Sequence, residues 1–224
     1  MCGRFIAKTD QNWQNFFTLK KPPPEFESYN IAPTQRVPVV FRADDANECG
    51  LLRWGLIPFF AHGVAGQYST INARIETLAT SPAYRGAWKR QQRCIVPANG
   101  FYEWQEHGGF KRPWFIHLTD RELFGFAGLW DQSTRDDGEV IRSFTIVTQP
   151  ASPFMAEIHN SRRREPAILQ PGDHAAWLAG TSAQAQQALR PSEAGTLSAH
   201  VVSRRVNSPR NHGVELIAAS GEES

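Results

Sequence analysis

The start of the chain offers an unusual nucleophile, because Cys2 directly follows the initiator Met1. Initiator methionine is generally trimmed before a small residue, and trimming leaves Cys2 with an α-amine and a thiol on adjacent carbons. An aldehyde condenses with such an amine to a Schiff base, and the thiol then closes a five-membered thiazolidine. Because the ordinary pKa of an α-amine is about 8, reactive amine exists near neutral pH. Taken alone, a cysteine at position 2 is usually an accident of sequence.

A second group of polar side chains lies in the segment from residue 70 to residue 76. An amide, a guanidinium and a carboxylate alternate there at Asn72, Arg74 and Glu76. Since alternate residues of an extended segment point the same way, the three side chains are expected on one face. A surface ion pair with a polar neighbour produces the same pattern, so both interpretations stay open.

Two further residues are suited to proton transfer. Glu103 interrupts an aromatic run at residues 101–104, and a carboxylate among large apolar groups is typical of acid–base sites. His159 precedes three arginines at residues 162–164, and imidazole in that setting suits proton transfer beside a phosphate backbone. The alternatives are that strand alternation turns Glu103 to solvent and that His159 is simply an exposed or hydrogen-bonded histidine.

The positive charge of the chain is mainly arginine. There are 19 arginines against 5 lysines, although the formal net charge is only +2. The planar guanidinium suits bidentate phosphate contacts and stacking on bases better than an ammonium does. Arginines on solvated faces explain the same counts, so composition alone does not decide whether nucleic acid is bound.

The bulk composition favours one cytoplasmic domain. A chain of 224 residues with 41% hydrophobic content can bury one substantial core, which we expect to span residues 1–220 with a frayed tail at 221–224. No apolar run approaches the roughly 18 residues of a membrane helix, and the start of the chain lacks the apolar stretch of a signal peptide. The three cysteines are widely separated, so we expect neither a disulfide framework nor a metal site.

The elements that must position these residues are mostly strands. Apolar or β-branched runs bounded by turn residues predict seven of them, at residues 37–41, 51–56, 94–98, 101–104, 114–118, 123–129 and 143–148. Helices are expected at residues 10–19, 82–91, 154–158, 173–178 and 183–189. Residues 108–109 and 136–138 are typical of hairpin turns. Together these elements predict an α+β fold with a curved, largely antiparallel, barrel-like core and flanking helices.

Several separate blocks of the sequence resemble one family. They are residues 1–4 (MCGR), 29–33 (YNIAP), 53–58 (RWGLIP), 72–76 (NARIE), 93–98 (RCIVPA), 100–104 (GFYEW) and 158–160 (IHN). Residues 202–207 and 211–213 resemble the family's C-terminal segment. The blocks cover nearly the whole chain in the order seen in the SRAP family, the SOS-response-associated peptidases, whose fold is α+β around a barrel-like core.

The resemblance implies a function and a set of site residues. SRAP proteins crosslink to abasic sites in single-stranded DNA and also have lyase and autopeptidase character, so Cys2 is expected to be the nucleophile, without cofactor or metal. By the same similarity, Asn72 orients the Cys2 amine, Glu103 shuttles protons during imine formation, and His159 assists opening of the sugar. The implied DNA contacts are Arg4, Arg74, Trp54, Arg162, Arg163 and Arg164. We expect a monomer whose partner is single-stranded DNA.

One departure and two other classes of function stay open. Glu165 departs from the family pattern, because its negative charge stands where a phosphate contact is implied for Arg164. A cysteine-dependent amidase or autopeptidase would use Cys2 for acyl transfer with His159 as base. A non-enzymatic reader of damaged DNA would use the same groove without needing Cys2.

Overall fold

Short strands and short helices make up the protein. The computed structural model describes residues 2–66 and 69–220, so Met1 and the tail predicted at 221–224 lie outside the described residues. The described strands are β1 (Arg4–Lys8), β2 (Glu27–Ile31), β3 (Arg36–Ala43), β4 (Ala46–Trp54), β5 (Asn72–Arg74), β6 (Arg93–Ala98), β7 (Gly100–His107), β8 (Phe110–Leu118), β9 (Phe124–Thr134), β10 (Val140–Pro150), β11 (Arg164–Pro166), β12 (Ile168–Leu169) and β13 (Leu197–Val201). The helices are α1 (Trp13–Phe16), α2 (Arg85–Lys89), α3 (Pro153–Ile158), α4 (His174–Ala179) and α5 (Ser182–Gln187). Each described helix is too short to cross a membrane.

A closed barrel of five strands forms the larger part of the fold. β4, β3, β6, β9 and β10 pair in that order, and β10 closes the ring by pairing with β4 as well as β9. Among the described strands, β10 runs parallel to β4 and β5, and the remaining pairs are antiparallel. This arrangement confirms the predicted α+β fold with a curved, largely antiparallel, barrel-like core.

The second sheet contains five strands in the order β13-β8-β7-β1-β2, and it is covered on both faces. Phe5 of β1 and Phe101 of β7 pack in the main core with the barrel residues. Ile6 and Tyr102, the next residue on each strand, pack in a second cluster with Val206. Because successive strand residues point to opposite faces, the first four residues of β7 are all buried.

The hairpin between β7 and β8 turns through Gly108-Gly109, as predicted. His107 pairs with Phe110 across this two-residue loop, and the two glycines have φ values of +56° and +80°. Two residues with positive φ form the type I′ turn, whose twist matches that of paired strands and which glycine adopts without strain. The turn fixes the register, so that Glu106 lies opposite Lys111.

The predicted elements agree with the structure in position but not in number. Each of the seven predicted strands overlaps an observed one, and the turn predicted at 136–138 joins β9 and β10. The sequence did not predict β1, β2, β5, β11, β12 or β13, because these strands have only two to five residues and several of them mix polar with apolar side chains. The helix predicted over residues 10–19 is only α1, which ends before Thr18 takes a φ of +52°.

Candidate functional site

One cleft of about 750 Å³ brings together the residues that the sequence singled out for chemistry. Asn72, Glu103 and His159 line it, and they come from β5, β7 and the end of α3. Cys2 is fully buried. It lies next to the cleft, since the following residue, Gly3, lines the wall. Three separate parts of the sequence thus converge on the start of the chain.

The position of Cys2 follows from the pairing of β1 with β7. Arg4 lies opposite Tyr102, and the same register continued back by one residue sets Gly3 opposite Glu103. The Cys2 Sγ lies 3.7 Å from the carbonyl oxygen of Arg4, to which the thiol donates. Burial raises the pKa of the Cys2 thiol well above its ordinary range, and the Glu103 carboxylate raises this pKa further. The thiol is therefore protonated at neutral pH.

Asn72 is held so that its side chain meets the backbone of Cys2. Its strand β5 pairs with β10, where Asn72 lies opposite Ile146, and the Tyr84 hydroxyl donates to the Asn72 carbonyl at 3.0 Å. The Asn72 Nδ2 donates to the Cys2 carbonyl oxygen at 2.9 Å. The Asn72 Oδ1 is buried and has no hydrogen-bond partner among the described residues. This oxygen is an unused acceptor beside the backbone of Cys2.

Glu103 and His159 form a buried acid–base pair. The two side chains are 4% and 5% exposed, and the Glu103 Oε2 lies 3.8 Å from the His159 Nδ1. His159 Nδ1 is 2.7 Å from the Arg164 carbonyl oxygen, which can only accept, and 3.3 Å from the Arg164 backbone N–H; the shorter contact favours a proton on Nδ1. With a proton on Nδ1, Nε2 is the ring nitrogen that remains available to a substrate. Burial excludes the interpretation in which strand alternation turns Glu103 to solvent.

A side-chain clamp fixes the segment after His159 to β7. Asn160 Oδ1 accepts the backbone N–H of Glu106 at 3.0 Å, and Asn160 Nδ2 donates to the Glu106 carbonyl at 2.9 Å. Gln105 Nε2 adds a bond of 3.0 Å to the carbonyl of Glu157. The amide of Asn160 thereby copies the hydrogen bonds of a neighbouring strand. These three bonds tie the histidine to the strand that carries Glu103.

Three cationic side chains line the cleft, those of Arg4, Lys111 and Arg162. Arg74, Arg162 and Arg163 are exposed, and Arg162 lines the cleft wall. Arg4, also on the wall, is half-buried, and its guanidinium donates to the Asn30 Oδ1 and to the carbonyls of Val206 and Asn207. Within residues 2–66 and 69–220, no carboxylate forms an ion pair with any of these four arginines. Arg4, Arg162 and Arg163 thus have no carboxylate partner in the described part of the protein, whereas Arg74 lies near enough to Glu76 to help lower the pKa of that carboxyl.

Trp54 does not reach the cleft, so its predicted contact with DNA is wrong. Its side chain is 0% exposed in the core, where the ring packs edge-on against Phe5 at 5.1 Å and parallel to Phe144. Its Nε1 donates to the Ile71 carbonyl at 2.9 Å. Trp104 lines the cleft instead, and its Nε1 donates to the Asn207 Oδ1 at 2.9 Å.

Arg164 is a structural residue, which corrects its predicted contact with phosphate. Its guanidinium pairs with both carboxylate oxygens of Glu76, at 2.5 and 3.0 Å, and also donates to the Thr148 carbonyl at 2.6 Å. Glu165 points elsewhere along β11, is 1% exposed and accepts the backbone N–H groups of Ser152 and Ser192. The charge of Glu165 therefore does not oppose a phosphate in the cleft.

The expected common face of Asn72, Arg74 and Glu76 is only partly present. The strand ends at Arg74, and Glu76 lies in the 3-10 turn Ile75–Thr77. Glu76 is consequently free to leave the strand face and to pair with Arg164. The ion pair that the sequence left open as an alternative thus forms, but with an arginine from another part of the chain.

Glu76 is expected to stabilise the fold only above acidic pH. Its hydrogen bond with Arg164 lowers the pKa of the Glu76 carboxyl. A carboxyl with a lowered pKa stabilises the folded state above its unfolded pKa of about 4.3 and loses this effect as the pH falls through the lowered value. The carboxylate is about half exposed, so the effect is on the order of 1 kcal/mol.

Urea unfolding of the wild type and Glu76→Gln between about pH 6 and pH 3 measures this contribution. The difference in the free energy of unfolding should shrink as the pH falls. A difference that stays constant over this range would contradict the proposed linkage to Glu76.

Three site residues were missed by the sequence interpretation. Lys111 lines the cleft, and counting back from the Gly108-Gly109 turn would have set it opposite Glu106. Asn30 and Asn207 hold Arg4 and Trp104 through bonds between distant segments, which no local pattern indicates. In the described parts of the chain, no cluster of three His, Cys, Asp or Glu side chains is arranged to bind a metal ion.

Comparison with known proteins places the chain in a family. Residues 1–209 match the family described as SOS response associated peptidase (SRAP). The chain belongs to the SRAP family. This confirms the resemblance carried by the separate sequence blocks.

Curated relatives and a solved structure are similar to this chain over most of its length. Abasic site processing protein YoqW of Bacillus subtilis is 36% identical over 97% of this chain and 99% of its own length. Abasic site processing protein HMCES of Xenopus tropicalis is 34% identical over 93% of this chain and 69% of its own length. The crystal structure of a Bordetella bronchiseptica protein, 28% identical, matches 90% of this chain and 100% of that one with a TM-score of 0.80.

Proposed function

We propose that this SRAP protein processes abasic sites in single-stranded DNA by forming a thiazolidine crosslink through Cys2 after removal of Met1. The observation that carries the proposal is the convergence of Cys2 with Asn72, Glu103 and His159 at one cleft. The names of YoqW and HMCES, both abasic site processing proteins, support the choice of substrate. The unneutralised arginines at the cleft favour a polyanion.

The proposed reaction divides into three proton-transfer steps. His159 takes the hydroxyl proton of the closed sugar and passes it to the ring oxygen as the ring opens to an aldehyde. The Cys2 amine, which the Asn72 Oδ1 orients, attacks the aldehyde carbon. The Glu103 carboxylate takes a proton from the attacking nitrogen and returns it to the departing hydroxyl, so that water leaves and an imine remains. The Cys2 sulfur then bonds to the same carbon, and its proton passes to the nitrogen. The product equals protein plus DNA less one water.

The state of the thiol favours this order of steps over acyl transfer. Acyl-transfer cysteines attack as thiolates, and their pKa is lowered by neighbouring cations. Burial and Glu103 have the opposite effect on Cys2, whose thiol pKa they raise. A neutral thiol leaves the first attack to the amine and carries the proton that ring closure returns to nitrogen.

Intact mass measurement after incubation with single-stranded DNA containing one abasic site tests the reaction class. The expected product is heavier than the protein by the mass of the DNA less one water, and it survives denaturation. Turnover of a peptide without DNA retention would support the amidase. Reversible binding that salt removes completely would support the non-enzymatic reader.

Neutralising Arg162 and Arg163 together is expected to weaken the binding of undamaged single strands and to reduce its salt dependence. Each lost phosphate contact lowers the slope of log K against log salt by about 0.7 for single strands, so about 1.4 is expected for the double glutamine variant. Fluorescence anisotropy at several salt concentrations measures the slope.

The matched control for this experiment is the double variant Arg135→Gln/Arg142→Gln. These arginines are exposed on the β9–β10 hairpin, and neither lines the cleft. An unchanged slope in the Arg162/Arg163 variant would remove both residues from the DNA contact surface. Arg164 is left intact in both proteins, because its loss would leave Glu76 without its partner.

Asn160→Ala is expected to slow crosslinking about tenfold without changing DNA affinity, because it releases the clamp between His159 and the strand of Glu103. Asn160→Asp keeps the acceptor for the Glu106 N–H, so its crosslinking rate should fall less than that of Asn160→Ala. Single-turnover rates on an abasic-site oligonucleotide, with affinities for undamaged DNA, separate the two effects. Equal rates for the wild type and Asn160→Ala would show that the clamp is not needed for positioning.

A further inference from the structure

A second cleft, of about 780 Å³, adjoins the β7–β8 hairpin and takes no part in the proposed reaction. The reaction cleft reaches this hairpin through Glu106 and Lys111. The second cleft reaches it through His107, Phe110 and Arg112, which alternate with those two residues along the strands. Both clefts also border the 3-10 turn Arg204–Asn207, the second at Arg204 and the first at Asn207. The hairpin and the turn therefore form a ridge between two neighbouring clefts.

An exposed aromatic ring dominates the second cleft. Phe110 is 65% exposed, although a ring of this size is usually buried in a protein of this length. The guanidinium of Arg204 lies 5.5 Å from the centre of the Phe110 ring. Two neighbours at the hairpin tip, Gly108 and Gly109, have nothing within 4 Å of the position of a Cβ atom, so the surroundings of the ring are open.

The cations of the second cleft have no carboxylate partners in the described part of the chain. Arg112 and Arg204 form no ion pair there, whereas the adjacent Arg205 pairs with Glu215 at 3.4 Å. Ser203 adds a hydroxyl to the same wall. The cleft thus combines one open π face with two unneutralised guanidiniums. Proteins bind single-stranded nucleic acid with this combination, because bases stack on aromatic rings while cations follow the phosphates.

We propose that the second cleft binds the continuation of the DNA strand beyond the reaction cleft, with a base stacked on Phe110 and phosphates at Arg112 and Arg204. The inference rests on the proposed function, since it extends the path of the same strand. Stacking requires an unpaired base, so the cleft selects single-stranded DNA over duplex. An apolar peptide would leave both guanidiniums without a counter-charge, which argues against that occupant.

Length-dependent binding of undamaged oligothymidines tests the proposal without requiring the crosslink. An oligomer of about 5 nucleotides fills the reaction cleft alone, and one of about 15 nucleotides spans both clefts. Phe110→Ala should weaken the binding of the longer oligomer about tenfold, equivalent to about 1.4 kcal/mol, and leave the shorter one unchanged. Phe110→Trp should retain the wild-type affinity. Arg204→Gln should weaken the longer oligomer and flatten its salt dependence.

Matched controls come from the barrel. Leu51→Ala removes another exposed apolar side chain, which is 49% exposed on β4, and Arg142→Gln removes another guanidinium over a ring, 5.9 Å from that of Phe41. Both should bind the longer oligomer like the wild type. Equal affinity of Phe110→Ala and the wild type for the longer oligomer would overturn the proposal. It would also be overturned if duplexes of the two lengths differed in affinity for the wild type as much as the single strands do.

The yield of crosslink on a short abasic-site oligomer separates this proposal from the proposed function. Phe110→Ala should reach the wild-type yield there, because its ring lies outside the reaction cleft. Absence of any crosslink in the wild type would refute the proposed function. The affinities of the two undamaged oligothymidines would still test the second cleft, because they do not depend on the crosslink.

Discussion

Cys2→Ala is expected to abolish the heat-stable crosslink to single-stranded DNA carrying an abasic site, once Met1 has been removed from the variant. Its α-amine still lies beside the Asn72 side chain and can form an imine, but no thiol remains to close the ring. An imine hydrolyses on heating or leads to strand cleavage by β-elimination. Denaturing gels should therefore show free or cleaved DNA, and borohydride should restore a crosslink by reducing the imine.

Three further proteins sharpen this experiment. Cys49→Ala removes a half-buried thiol from β4 and should crosslink like the wild type. Protein that retains Met1 has no α-amine on Cys2 and should form no thiazolidine. Cys2→Ser can close an oxygen analogue that is less stable. A heat-stable crosslink from Cys2→Ala or from the Met1-retaining form would contradict the proposed nucleophile and favour a lysine such as Lys8 or Lys89.

Glu103→Gln is expected to slow crosslinking about 100-fold or more, the usual contribution of a positioned acid–base group. Glutamine keeps the shape of the side chain and can still contact the Trp104 N–H, but it cannot deliver a proton to the departing hydroxyl. Binding of undamaged single strands should stay at the wild-type level, because the Glu103 side chain is only 4% exposed and glutamine has the same shape. Single-turnover rates and anisotropy measure the two quantities.

The matched control for Glu103 is Glu106→Gln. Glu106 lies three residues further along β7 and lines the same cleft, but its side chain is exposed. Its loss removes the same charge from the same cleft and should leave the rate near that of the wild type. Equal rates for Glu103→Gln and Glu106→Gln would return Glu103 to a purely structural role.

Local patterns were sufficient for the strands and turns that build the frame of the site. Alternating and apolar runs located seven strands, and Gly108-Gly109 located the hairpin that sets Glu106 opposite Lys111. Alternation alone could not decide whether Glu103 faces solvent. The answer depends on His159, far along the chain, which packs against Glu103 on the face of β7 that Phe101 also occupies.

Burial explains the two errors at the predicted DNA surface. Trp54 stands at the end of β4, where the barrel closes against β10, and nothing within its own segment indicates that Phe5 and Phe144 will enclose it. Arg163 and Arg164 are adjacent in the sequence but lie in different surroundings. That step takes Arg164 into β11 and onto Glu76, while Arg163 stays exposed.

The protonated state of the Cys2 thiol also bears on how the protein withstands oxidants. Peroxide oxidises the thiolate to sulfenic acid, and its rate follows the thiolate fraction and the exposure of the sulfur. Burial and the Glu103 carboxylate keep that fraction small at neutral pH, since both raise the pKa of Cys2. In the proposed reaction the aldehyde reacts first with nitrogen and needs no thiolate, so the raised thiol pKa slows sulfenic acid formation without slowing that first step. An amine that reacts with carbonyl carbon, next to a thiol that stays protonated, thus separates reactivity toward aldehydes from sensitivity to oxidants.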